Sequence, residues 1–165
     1  MEEKTNVMRL LEQKKIKFQS HHLDITEAVS GVEMAAMLGQ DPAHVFKTLV
    51  TAGKTKTNYV FVIPVAEELD LKKAAKCVGE KSIEMIKSKE LLPLTGYVHG
   101  GCSPIGMKKA FKTTLHQTAK DFDTIVFSAG KIGYQVEMNT NDLEKVIRLN
   151  YADVVLRAGF SDSST

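Results

Sequence analysis

Val7, Leu10, Leu11 and the later Ile16 fall on one side of a segment otherwise rich in Glu, Lys and Arg, which predicts a first helix over residues 4–13. A short strand at 18–23 follows. Ser30, with Glu33 three residues on, reads as a capping box for a helix through Leu38 that Gly39 ends. Asp41-Pro42 predicts a brief helical turn, because proline at the first helical position forfeits no hydrogen bond. Two runs of β-branched and aromatic residues, 45–52 and 59–65, flank a polar stretch and read as a hairpin. Asp70 predicts a capped helix to Cys77 or Val78, stopped by Gly79, whereas the segments around Ile83 and Leu91 give no clear pattern. A second hairpin is expected from residues 124–128 and 134–138 across the turn at 128–133. Asn141 and Glu144 suggest a cap for a last helix to about Arg148, with a strand at 152–156 after it.

Strand pairs mixed with helices, without regular βαβ alternation, define the class as α+β with a mixed sheet able to curl into a barrel. With 165 residues and 43% hydrophobic composition, the chain can bury one sizeable core, so a single domain is expected. A net charge of +2 is too balanced for a binder that works by neutralising many phosphates, so any RNA contact must be local. The two cysteines, Cys77 and Cys102, lie far apart in unlike contexts and suggest neither a disulfide framework nor a CxxC metal site. A reducing, cytoplasmic setting fits that usage. The charged start is unlike a secretion signal, and no apolar run approaches the ~20 residues that span a bilayer.

Gly100-Gly101-Cys102-Ser103-Pro104-Ile105-Gly106 is the segment with most chemical content. Its glycines permit close backbone approach and its proline stiffens the turn, so consecutive amides can be held facing an anion. On residue types alone an ordinary tight turn is the favoured reading. A Walker A loop is excluded, since Met107 and Lys108 stand where the lysine and the magnesium-binding hydroxyl belong. Alternation puts Lys47 on the same face as Val45 and Leu49, either as an edge lysine reaching solvent or as a cation held near developing negative charge. Lys108, Lys109 and Lys112 are a solvated face or a steering patch for a polyanion. The histidines form no metal-ligand spacing, and Ser103 and Ser128 lack a GxSxG context, so neither a metal nor a serine triad is expected.

Taken together, Val45-Phe46-Lys47-Thr48-Leu49, Leu69 to Lys76, Thr95-Gly96-Tyr97 leading into Gly100 to Lys109, and Ser128-Ala129-Gly130-Lys131 resemble the YbaK/EbsC family of transfer-RNA deacylases. These are relatives of the editing domain inserted in bacterial prolyl-tRNA synthetases. The resemblance implies a mixed six- or seven-stranded barrel-like sheet flanked by helices, in one domain over residues 1–158, with 159–165 as a disordered tail. It implies catalytic roles for Lys47 and Gly101, substrate binding by Gly100, Cys102, Ser103, Pro104 and Ser128, and tRNA binding by Lys108 and Lys109. No cofactor or metal is implied. The expected substrate is aminoacyl-tRNA, Cys-tRNA(Pro) or Cys-tRNA(Cys) first, with a prolyl-tRNA synthetase as candidate partner. Alanyl-tRNA(Pro) deacylation and a non-catalytic module that docks on tRNA or a synthetase are the alternatives. Leu23, Ser30 and Gln135 depart from the family pattern, the last replacing a frequent acid.

Overall fold

The computed structural model describes residues 4–156, and the expected tail at 159–165 lies outside them. The first helix, α1 (Asn6–Gln13), is capped by Thr5, whose hydroxyl oxygen accepts from Met8 N–H, and it buries Val7, Met8 and Leu11. Strand β1 (Gln19–His22) leads to α2 (Gly31–Leu38), where the capping box of Ser30 and Glu33 forms and Gly39 ends the helix at φ 68°. Asp41 caps a 3-10 turn at Pro42–His44, accepting from Ala43 N–H. The hairpin β2 (Phe46–Gly53) and β3 (Asn58–Pro64) follows, then α3 (Leu71–Val78), capped by Asp70 and stopped by Gly79. The two segments without a clear pattern are β4 (Ile83–Met85) and α4 (Ser88–Thr95).

Strand β5 (Lys112–His116), which pattern reading misses, is an inner strand of the larger sheet. Its only strongly apolar residue is Leu115, and Thr113 and Thr114 are buried by their neighbours, so tertiary context overrides a polar-looking sequence. Strands β6 (Ile125–Lys131) and β7 (Tyr134–Met138) form the second hairpin, with β6 continuing past Ser128 through an irregularity in register.

The C-terminal segment corrects the sequence reading. The last helix, α5 (Thr140–Leu143), is short and is capped by Asn139, which accepts from Asn141 N–H at 2.7 Å. Glu144 makes no capping box, because its carboxylate accepts from the Tyr151 hydroxyl at 2.6 Å, and Val146 and Ile147 pack on the core from a turn. Strand β8 (Leu149–Ala152) therefore begins earlier than expected, while Val154 and Val155 are buried beyond it.

Two sheets result, one ordered β1-β7-β6 and the other β4-β2-β3-β5-β8. The first is antiparallel throughout, and the second changes from antiparallel at β2–β3 to parallel at β3–β5 and β5–β8. A parallel bridge from Val45 to Val126 joins the start of β2 to β6 and curls the sheets round a common interior. The α+β, barrel-like fold expected from the resemblance is thus present, with eight strands among the described residues where six or seven were expected.

That interior holds Phe46, Val50, Val60, Val62, Leu115 and Phe127, closed by α1. Outside it, α3 covers Tyr59, Phe61 and Ile63, and α2 covers Val45, Val65 and Val126. Both faces of β3 are therefore covered, which is why Tyr59 to Ile63 is an unbroken buried run. No helix among the described residues is long and apolar enough to cross a membrane.

Candidate active site

Strand alternation places Phe46 and Val50 in the interior and leaves Val45, Lys47 and Leu49 on the outer face. Lys47 of β2 and Ser128 of β6 each lie two residues beyond the parallel Val45–Val126 bridge, and alternation gives each the same face as its bridge residue. Ser128 pairs in turn with Gln135 of β7, and Gln135 with His21 of β1. Lys47, Ser128, Gln135 and His21 thus share one face across four strands, beside the patch that α2 covers.

Lys47 is half-buried and forms no ion pair among the described residues. Burial holds its pKa below the usual 10.5, a shift that the charges of Glu68 and Glu67 only partly oppose. Ser128 Oγ accepts from Gly130 N–H at 3.1 Å, which fixes the oxygen and leaves its proton free to donate. Gln135 is 4% exposed.

The glycine loop packs on the turn that joins β6 to β7. Gly100 adopts φ 86°, and a Cβ there would meet Ala28 Cβ at 2.4 Å, so only glycine fits for two separate reasons. A Cβ on Gly101 would come within 3.2 Å of the Ile132 amide nitrogen, so the loop lies directly on the β6–β7 turn, a few residues from Ser128. Gly101 N–H donates to the Val98 carbonyl and Ile105 N–H to Ser103 Oγ. Between them Pro104 has no N–H, and the amides of Cys102 and Ser103 form no such bond within the described residues. Two consecutive donors therefore have no partner in the chain, a state that costs ~1 to 3 kcal/mol each where it is not relieved by an external acceptor.

The side chains of Cys102 and Ser103 point to a different role. Cys102 belongs to the interior cluster, and burial pushes its thiol up to about 12, so it is protonated at neutral pH and is no nucleophile. Ser103 is fully buried and spends its oxygen on Ile105. What this stretch can offer a ligand is backbone. Tyr97 braces it by donating its hydroxyl to the Ile105 carbonyl, and burial pushes that phenol up to about 12.

Pro104 and Lys109 line a groove beyond the loop, whereas Lys108 Nζ donates to the Pro93 carbonyl at 3.3 Å near the end of α4. His21 and His44 converge on Glu137, at 2.9 and 3.8 Å, a clustering their sequence spacing did not reveal. No group of three His, Cys, Asp or Glu among the described residues is arranged to hold a metal ion.

A family model for the aminoacyl-tRNA editing domain matches residues 26–146, which contain Lys47, the glycine loop, Ser128 and Gln135. The chain belongs to the aminoacyl-tRNA editing domain family. Among members of known name, it is 41% identical over 157 residues to EbsC of Enterococcus faecalis (strain ATCC 700802 / V583), a match covering 94% of this chain and 96% of that one. EbsC carries the proposed activity of a Cys-tRNA(Pro)/Cys-tRNA(Cys) deacylase. The editing-domain fold recurs in a solved structure described as a candidate trans-editing enzyme for prolyl-tRNA synthetase, with TM-score 0.79, 22% identity, and 91% and 94% of the two chains covered. A hypothetical protein gives TM-score 0.80 at 19% identity, covering 91% of this chain and 99% of that one.

Proposed function

We propose that this editing domain acts in trans as an aminoacyl-tRNA deacylase, cleaving the ester of mischarged tRNA, with Cys-tRNA(Pro) or Cys-tRNA(Cys) as substrate. What supports the reading is a half-buried lysine on the strand bridged to β6, together with a glycine loop that packs on the β6–β7 turn and has two adjacent amides without a partner in the chain. The name of the Enterococcus relative supports the choice of cysteine.

An aminoacyl ester is already activated, so fixed dipoles placed where its carbonyl oxygen becomes negative supply much of the needed catalysis. In this reading the Cys102 and Ser103 amides, positioned by Gly100 and Gly101, receive that oxygen. Lys47 holds the terminal phosphate or the developing charge, and the Ser128 hydroxyl donates to the substrate. The enzyme's own thiol is too basic and too deeply placed to attack. The substrate's cysteine thiolate can do so: its sulfur bonds to the ester carbon, the bond from that carbon to the ribose oxygen breaks, and the oxygen takes up the proton the thiol lost. The products are a cyclic thioester and free tRNA. A water molecule performing the same displacement would give free amino acid instead.

Hydrolysis of a seryl ester separates the two routes, since a hydroxyl at that position is not appreciably ionised at neutral pH. Release from cysteinyl but not seryl or alanyl tRNA supports the thiol route. Release from alanyl-tRNA(Pro) at the greater rate would replace cysteine as the substrate. The candidate prolyl-tRNA synthetase partner is supported by the description of the trans-editing structure, and co-elution of synthetase, tRNA and this chain tests it.

A further inference from the structure

A groove of about 580 Å³ opens where the glycine loop ends, between Pro104 and Gly106 on one side and the mouths of β5 and β8 on the other. Its floor is Phe111, Val146 and Ile147, partly buried against the interior. Lys109, Lys112 and Arg148 stand on its rim, and no carboxylate lines it among the described residues. Lys112 and Arg148 each lie one residue before the first pair of the β5–β8 register, Thr113 with Leu149, so both stand at the same end of those strands and line the same groove. Like charges so placed repel, and neither residue has an ion pair within the described chain. An anion between them would convert that repulsion into attraction.

We propose that this groove binds the phosphates of the tRNA strand that carries the amino acid, with Lys112 and Arg148 as its principal contacts and Lys109 at its edge. The identification of the strand rests on the deacylase reading. Pro104 is three positions on from Gly101, a reach of at most ~11 Å, so a strand whose 3′ end lies at the loop passes the groove within its last few nucleotides. Arg148 provides a planar fork for phosphate oxygens, and Phe111 with the aliphatic floor gives a base or ribose an apolar surface. A larger groove beside the β2–β3 hairpin, of about 1020 Å³, does not compete, because Lys54, Lys56, Lys87 and Lys89 there are interspersed with Glu84 and Glu90.

The test uses the full chain and a fluorescent, uncharged RNA hairpin ending in a single-stranded 3′ tail, so that binding is read without any ester. The double variant Lys112→Ala/Arg148→Ala should bind about tenfold more weakly, and its log affinity against log salt should flatten by roughly 1.5, as expected for two lost phosphate contacts. With a cleavable charged tRNA, KM should rise and kcat stay unchanged. Its melting temperature should equal or exceed that of the parent, since a repulsion is relieved. Unchanged affinity and salt slope would overturn the proposal, even if Lys47→Ala abolished turnover. Conversely, failure to deacylate any tRNA would remove the proposed activity while the hairpin measurement still decided whether RNA binds here.

Discussion

Replacing Tyr97 by Phe tests whether the loop is held by the contact that the structure assigns to it. The Tyr97 hydroxyl donates to the carbonyl of Ile105, a residue with no exposed surface, and the tyrosine itself is 9% exposed. Its ring also supports two glycines: a Cβ on Gly106 would lie 2.8 Å from the hydroxyl oxygen, and one on Gly130 would lie 2.9 Å from the ring. Phenylalanine keeps the ring and removes only the donor. The lost bond and the stranded buried carbonyl together should cost about 1 to 3 kcal/mol. At roughly 2 to 4 °C per kcal/mol for a domain of this size, the melting temperature should fall by about 2 to 12 °C. Because the loop amides lie two and three residues before Ile105, kcat for deacylation should fall with it. With burial holding the phenol near 12, the difference between variant and parent should not depend on pH between 6 and 9. Calorimetry and single-turnover deacylation read both effects. A variant that melts within 1 °C of the parent and turns over equally fast would show that the loop is held by other contacts.

Three further substitutions bear on separate parts of the account. Gly100→Ala must adopt φ 86° and meet Ala28 at 2.4 Å, so a loss of roughly 2 to 4 kcal/mol is expected in urea unfolding, and a loss under 0.5 kcal/mol would contradict the geometry. For Glu137, burial pushes the pKa up, but the Thr124 hydroxyl, the His21 hydrogen bond and the two imidazole charges outweigh it and hold the value below 4.5. Such a depressed carboxyl stabilises the fold above about pH 4.5 and loses that contribution as pH falls through its folded value, so Glu137→Gln should be less stable at pH 7 and lose less on acidification to pH 3. Parallel melting curves for parent and variant over that range would refute this. Lys47 is the opposite case: its folded pKa is depressed, so the folded chain resists protonation, and stability should increase as pH rises through the window below 10.5. Lys47→Met should remove that increase, as thermal melts at pH 7 and pH 10 would reveal.

The parts of the fold that could be read from the chain are those whose cause is local. Ser30 with Glu33, Asp70 with Gly79, and Asp41 with Pro42 place helix ends through bonds spanning only a few residues, and each formed as expected. Strand β5 was hidden because Thr113 and Thr114 owe their burial to β3 and β8, which are distant in sequence. The C-terminal helix was overestimated because Glu144 has a better partner in Tyr151 than in a helix cap. At the candidate site, alternation is enough to put Lys47 on the same face as Val45 and Leu49, a lysine among apolar residues. The face it shares with Ser128 and Gln135 could not be read, since it passes through a parallel bridge between two sheets. The placement of Lys112 and Arg148 at one end of their strands was likewise invisible, because it depends on β5 and β8 being neighbours.

In the proposed reaction, Lys47 and the loop amides act together on the acyl end of a charged tRNA. Single-turnover release of labelled cysteine from Cys-tRNA(Pro), compared between the parent chain and Lys47→Ala, addresses it most directly. Ready release by the parent and a loss of about 10²-fold or more in the variant are expected, with folding intact by circular dichroism. Equal rates for the two proteins, or a parent rate no faster than spontaneous ester hydrolysis, would contradict it.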